Sequence, residues 1–285
     1  DLNQAVHDHD ASVRMIAEES TAWPRVTRPA YLGGLGFDMK WDMGWMHDTL
    51  DYMALDPIHR RFHHGKITFR PMYSFLESYV LALSHDEVVH MKGSLLGKMH
   101  GQGRDEFASL RLLLGYMWTH PGKKLLFMGS EFAQIREWAH DSSLDWHLLD
   151  LPLHRGVADW IRDLNHALAR EPALTELDFE SAGFQWIDHA DADRSILAYM
   201  RSDVTGRPVV VLLNLTPIVR ENYRVGVPWP GPWREILNSD AERYGGSGLG
   251  NFGRVETAPV PAHGQFDSLA VTLPPLAMVA LVPAE

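Results

Sequence analysis

The chain has 285 residues of ordinary globular composition, no cysteine, and a formal charge of −11 from 26 Lys and Arg against 37 Asp and Glu. That length accommodates two domains, and the acidic balance opposes nucleic acid and anionic membrane while suiting a neutral partner such as a sugar. Without cysteine there is neither a disulfide framework nor thiolate chemistry, which fits a reducing, cytoplasmic compartment. No run of about 18 apolar residues exists, and the opening DLNQAVHDHD lacks both parts of a signal peptide. It reads as the tail of a helix and a loop, so the chain is expected to start inside a fold.

From residue 13 to about 150, short apolar runs alternate with helical patterns, the signature of βα units on a parallel sheet. The strand candidates are VRMIA (13–17), GFDMKW (36–41), YVLAL (79–83) and KLLFM (124–128). MGWMHDTLDYMAL (43–55) sets Trp45 or Met46, Thr49, Tyr52 and Met53 on one side of a helix, and a long polar and aromatic stretch then runs to 78. Long loops at strand ends are where barrel enzymes build their sites. RDEFASLRLLLGYMWTH (104–120) places Phe107, Leu110, Leu114 and Met117 at helical spacing, is stopped by Pro121-Gly122, and is expected to cover the sheet from outside. Residues 153–169, with Val157, Trp160, Ile161, Leu164 and Leu168 on one face, predict the helix that closes this part.

After Pro172 the pattern changes to short β runs separated by turn residues: FQWI (184–187), SILAYM (195–200), PVVVLLNL (208–215), WREIL (233–237) and LAVTLPPLAMVALV (269–282). These favour an all-β sandwich of roughly a hundred residues. The domain boundary is expected near 171–182, giving residues 1–172 and 173–285. A (β/α)8 TIM barrel has eight strands in about 250 residues, and only half of each precedes the β region. The expected fold is therefore α/β plus all-β, the C-terminal half of a barrel followed by a sandwich, with the other strands upstream.

Two acidic strings follow buried-strand patterns. Glu18, in AEEST, follows VRMIA; Asp86, in LSHDEVVH, follows YVLAL. A carboxylate at the end of a buried strand costs stability unless it is paired or working, so the two suggest one shared site. Retaining glycosyl transfer needs two carboxyl groups, a nucleophile and a proton donor that later acts as base. Glu18 suits the second role, against a structural pairing with Arg14, Arg25 or Arg28, and periodicity cannot separate it from Glu19. His85 and Asp86 present a donor and an acceptor to sugar hydroxyls, but SHDE is equally a helix N-cap with acids near the positive dipole end. Glu131, after KLLFMGS, is a third strand-end acid better suited to a structural role.

Other clusters carry less. His7-Asp8-His9-Asp10 and His63-His64 lack any further metal-ligand pattern, and a solvated loop fits the first better. GGLG (33–36) is neither a P-loop nor a dinucleotide fingerprint and reads as a turn before the next strand. Ten tryptophans are many for this length, and Trp23, Trp41, Trp45, Trp138 and Trp146 lie in or beside the strand-end loops. One or two are expected to stack on sugar and the others to pack in cores.

IAEEST, RPAYLGGLGFDMKWDMGWMHDTLDYM, DPIHRRFHHGKITF, LSHDEVVHMKGSLLGKM, PGKKLLFMGSEFAQIREWAHDSSLDWHLLD and WREILNSDAERYGGSGLGN closely resemble the 1,4-α-glucan branching enzymes of the α-amylase superfamily. The resemblance runs from about residue 13 to the C-terminus. It implies a barrel followed by an all-β domain, Glu18 as general acid/base at the end of the fifth barrel strand, Asp86 as the carboxylate that stabilises the transition state, and His85 as a ligand of the same sugar. The implied substrate, as donor and acceptor, is an α-1,4-glucan, with no metal or organic cofactor. The family's nucleophilic aspartate lies before AEEST, outside this chain, so the isolated chain is expected to be inactive and to need its upstream half. Met91, Ser78 and Ala82 stand where the family has glycine, asparagine and proline. The competing readings are a hydrolase of the same superfamily and a non-catalytic glucan-binding remnant.

Overall fold

The computed structural model describes residues 2–284. Helix α1 (Leu2–His9) leads into a parallel four-stranded sheet of β1 (Ile16–Ala17), β2 (Met39–Trp41), β3 (Tyr79–Leu83) and β4 (Lys123–Leu126), arranged in chain order. Both β1 and β2 are shorter than the apolar runs predict. Before β1 the Asp38 carboxylate accepts from the Met15 amide at 2.7 Å and pairs with His7 at 3.0 Å and Arg14 at 3.4 Å, and before β2 the amides of Gly36 and Phe37 donate to the carbonyls of Arg28 and Val26 at 3.0 and 3.2 Å. His7 is thereby tied to Asp38 at the end of a helix, and among the described residues no group of three or more His, Asp or Glu could hold a metal ion.

Between β2 and β3 the chain forms α2 (Met43–Ala54) and the short helices α3 (Pro57–Arg60) and α4 (Gly65–Thr68). Asp42 starts α2 by accepting from the Trp45 amide at 2.9 Å, and the helix buries Trp45, Met46, Thr49, Tyr52 and Met53, the side its sequence predicts. Helix α5 (Arg104–Thr119) joins β3 to β4, and α6 (Pro152–Arg170) follows β4. Side chains alternate along β3, so Leu81 and Leu83 join the core with α2 and α5, while Val80 and Ala82 point to the opposite face. Residues paired in parallel register share a face; Trp41 is paired with Val80 and therefore lies on the face away from the helices.

The antiparallel region is a sandwich. Strands β5 (Phe184–Asp188), β6 (Ile196–Ser202), β7 (Pro208–Asn214), β9 (Pro232–Asn238), β10 (Arg254–Glu256) and β12 (Ala277–Pro283) form a six-stranded sheet in the order β10-β9-β12-β7-β6-β5. Facing it is the pair β11 (Asp267–Leu273) and β8 (Arg220–Val227). Strand β8, read RENYRVGV, escapes a hydrophobic scan because its first half is exposed, and only Tyr223, Val225, Gly226 and Val227 are buried.

One face of the six-stranded sheet, through Ile196, Ala198, Val210, Leu212, Val279 and Leu281, packs on Tyr223, Val225, Leu269 and Val271 of the facing pair. Its other face, through Leu197, Tyr199, Val211, Leu213, Met278 and Ala280, belongs to the same core as α2, α5, α6 and the parallel sheet. Both faces are thus covered, which is why every residue of β7 and β12 is buried. Helix α5 covers the parallel sheet as its sequence suggests but is covered in turn by the sandwich. It is buried almost continuously from Phe107 to Thr119, and a Cβ on Gly115 would stand 2.8 Å from Met278 of β12 and 3.2 Å from Trp160 of α6.

Buried guanidinium groups tie the two regions. Arg60 donates to the Leu215 carbonyl at 2.7 Å, Arg111 to the Ser239 carbonyl at 2.7 Å, and Arg201 to the carbonyls of Thr119 at 2.9 Å and Gly183 at 3.0 Å and to Asp178 at 2.9 Å. We propose dividing the chain at 172/173 by strand type, parallel before and antiparallel after, because the core itself is undivided there. Among the described residues no helix is long and apolar enough to cross a membrane.

Candidate active site

The chemistry expected of this chain sits where the parallel strands end. Glu18 and Glu19 follow β1 directly, and the structure separates them. Glu19 pairs with Lys40 at 2.8 Å, and the ammonium is almost wholly buried. The Lys40 ammonium, with further bonds from Thr21, pulls the Glu19 carboxyl down to about 2. Glu18 is exposed, and none of the ion pairs among the described residues includes it; Arg14 is held by Asp38 instead. The acid engaged structurally at this strand end is Glu19, and Glu18 is exposed beside it.

The loop after Glu19 is compact although it carries no long helix. The Glu77 carboxylate accepts from the amides of Val26 at 2.9 Å and Thr27 at 2.8 Å and from the Thr27 hydroxyl. GGLG forms the expected turn: Gly33 and Gly36 have φ of 77° and 74°, and a Cβ on Gly34 would meet the Arg28 carbonyl oxygen at 2.0 Å.

At the end of β3, Ser84 caps a single 3-10 turn, His85–Glu87. The Ser84 hydroxyl accepts from the Asp86 amide at 3.2 Å, and the Glu87 carboxylate accepts from the Ser84 amide at 2.5 Å, a reciprocal capping box. The cap that SHDE suggests is therefore real, but the acid engaged in it is the buried Glu87. Asp86 and His85 are left facing outward, 3.2 Å apart between Oδ1 and Nε2. The His85 ring lies 5.9 Å from that of Phe127, the residue after β4, and Phe127 packs edge-on against Trp138 at 5.3 Å.

Asp42, which the sequence analysis did not single out, is a further strand-end acid. It is buried, receives Arg70 Nε at 2.7 Å and the Tyr73 hydroxyl at 3.2 Å, and caps α2, so its role is structural. Glu131 lies half-buried on the 3-10 turn Ser130–Phe132 beyond β4.

Two cavities flank Met43 at the start of α2. One, about 850 Å³, is bounded by Asp86, Glu87, His47, Asp51 and Lys98. The other, about 570 Å³, is bounded by Glu19, Trp23, Trp41, Tyr73 and Tyr79. Trp23 and Trp41 thus stand at a cavity, Trp45 is in the core, and Trp146 packs at a tilt against Phe132, ring centroids 5.2 Å apart. Glu18 and Asp86 leave strands separated by β2, so their attachment points are about 10 Å apart.

Comparison with known proteins agrees with the motifs. Over 282 residues the chain is 59% identical to the 1,4-alpha-glucan branching enzyme GlgB of Aromatoleum aromaticum, a match covering 99% of this chain and 44% of that protein. The branching enzyme of Aquifex aeolicus is 55% identical over 281 residues, covering 98% of this chain and 45% of the relative. The chain is thus similar to the C-terminal portions of 1,4-α-glucan branching enzymes. It spans less than half the length of these relatives.

Residues 186–284 match the family described as alpha amylase, C-terminal all-beta domain. Among solved structures, an α-amylase from Geobacillus thermoleovorans in complex with acarbose superposes with a TM-score of 0.65 at 15% identity, over 99% of this chain and 56% of the other. The debranching enzyme of Nostoc punctiforme gives 0.64 at 15% identity, over 99% and 54%. These likenesses establish the fold as the C-terminal half of an amylase-type barrel followed by its sandwich. The branching-enzyme expectation for Met91 also acquires a structural reason: this residue has φ of 67°, a left-handed conformation in which glycine is unstrained.

Proposed function

We propose that this chain forms the C-terminal portion of a branching enzyme that cleaves an internal α-1,4 link of a glucan and transfers the released segment to a 6-hydroxyl of an acceptor chain. The observation that carries this reading is the 59% identity to a branching enzyme along 282 residues, spanning both the half-barrel and the sandwich. Glu18 protonates the departing 4-oxygen while an aspartate from the upstream half attacks the anomeric carbon. Glu18 then removes the proton of the incoming 6-hydroxyl as that oxygen displaces the aspartate. Asp86 and His85 hold the hydroxyls of the distorted sugar. This double displacement requires no metal or organic cofactor.

The upstream half is a required partner in this reading: its strands would pair with the outer edges of β1 and β4, which are the edge strands here. The acidic charge suits a neutral glucan in the cytoplasm. The deciding experiment replaces Glu18 by Gln in the full-length protein. Formation of α-1,6 links in amylose should fall by orders of magnitude while glucan binding persists. Retention of most transfer would refute the role. Residues 1–285 alone should form no branches detectable by iodine; branching by that chain would overturn the requirement for an upstream half.

A further inference from the structure

We propose that Glu87 is a positioning residue for transfer, acting by fixing the three-residue turn that presents His85 and Asp86; this rests on the roles given to those two residues above. The turn is too short to hold itself. Its internal bond is Val88 N to His85 O at 2.9 Å, and the remaining constraints come from side chains and a neighbouring loop. Beyond Leu83, the Ser84 amide is turned away from the ladder and is buried, and the Glu87 carboxylate is the acceptor it meets, at 2.5 Å. The returning bond, Asp86 amide to Ser84 hydroxyl at 3.2 Å, fixes the peptide that carries the proposed catalytic carboxylate. Glu87 is 5% exposed, so its bond to that amide is shielded from competing water.

The far side of the turn is braced separately. The Trp138 amide donates to the Val88 carbonyl at 3.0 Å, and the Glu137 carboxylate accepts from the amides of Met91 at 3.1 Å and Gly93 at 2.8 Å. His85 and Asp86 are thus suspended between two carboxylate anchors, of which only Glu87 acts on their own turn. Removing it leaves the buried Ser84 amide without its acceptor and frees the turn to shift. A displacement of about 1 Å in a reacting group costs on the order of 10²-fold in rate.

The test uses the full-length protein with Glu87→Ala, Glu87→Gln and Ser84→Ala, beside Asp86→Asn as reference. Glu87→Ala should lower kcat about 10²-fold with KM for amylose changed less than about threefold. Glu87→Gln, which keeps an acceptor oxygen, should recover about tenfold of that loss. Ser84→Ala, which breaks the other half of the box, should lower kcat about tenfold. Unchanged kcat in a folded Glu87→Ala overturns the proposal, as does a loss that only follows the unfolded fraction. If Glu87→Ala does not fold, full kcat in both other variants overturns it. An inactive Asp86→Asn beside a fully active Glu87→Ala refutes the positioning role alone, whereas an active Asp86→Asn refutes the site reading beneath it.

Discussion

Substituting Gly156 by alanine tests whether the half-barrel and the sandwich share one core. In an ordinary helix interior this change stabilises by about 1 kcal/mol. Gly156 lies in α6, and a Cβ there would stand 2.3 Å from the carbonyl oxygen of Tyr244, whose 3-10 turn Glu242–Tyr244 belongs to the sandwich. The obstacle is backbone, so α6 and that turn must separate by roughly 1 Å to restore ordinary contact. Separation weakens the Trp160–Tyr244 edge-to-face pair at 5.0 Å, worth about 0.5–1.5 kcal/mol, and the 2.6 Å bond from the Tyr244 hydroxyl to Asp163, worth about 1.5–3 kcal/mol as a bond to a charged group. The loss of about 2–4 kcal/mol exceeds the helical gain, and Gly156→Ala should destabilise by about 1–3 kcal/mol. Gly65→Ala is the control: Gly65 opens α4 and nothing lies within 4 Å of its Cβ position, so this variant should be neutral or gain up to about 1 kcal/mol. Urea and thermal midpoints of the full-length protein measure both. A neutral or stabilised Gly156→Ala would refute the close packing of α6 on the sandwich.

Other outcomes follow from single contacts. Because Glu19 has its carboxyl lowered to about 2 by Lys40, its contribution to stability is present above the unfolded value near 4.5 and is lost as pH falls from there through about 2. Glu19→Gln should therefore lower the melting temperature at pH 6, the gap closing towards pH 2; a gap independent of pH would refute the ion pair's role. Met91 is left-handed and almost fully exposed, so Met91→Gly relieves about 1–2 kcal/mol of backbone strain, offset by the added flexibility of glycine in the unfolded chain. The expected result is a melting temperature unchanged or raised, and a clear fall would contradict the strain. Arg201→Met removes a buried cation from Asp178, which keeps Lys123 at 2.9 Å, and from the carbonyls of Thr119 and Gly183, and should cost about 2–4 kcal/mol by denaturant titration. A cost below about 1 kcal/mol would show that these buried bonds contribute little to stability.

Much of this organisation is legible in the sequence, and the exceptions have physical causes. Strands β3, β6, β7 and β12 are found because buried strands read as continuous apolar runs, and α2 and α6 because each keeps a polar face to water. Strand β8 is missed because half of it faces solvent with charged residues. The starts of β1 and β2 are misjudged because the Asp38 carboxylate takes the Met15 amide and the carbonyls of Arg28 and Val26 take the amides of Gly36 and Phe37. Helix α5 shows where periodicity stops: its apolar stripe predicts one buried face, but Arg111, Ser109 and Gly115 are buried too, because a second sheet covers the opposite side.

By itself the sequence determined the order of βα units and β strands and the positions of Glu18, His85 and Asp86 at strand ends, since these follow from local patterns and from motif likeness. Which of the two adjacent acids after β1 is engaged was decided only by tertiary structure: Lys40, 21 residues beyond Glu19 in sequence, engages Glu19 and leaves Glu18, whereas the Glu87–Ser84 bond after β3 is a local capping box written in the order Ser-His-Asp-Glu. Periodicity cannot separate neighbours in a turn, because the distinction lies in which partner the fold brings within hydrogen-bonding distance.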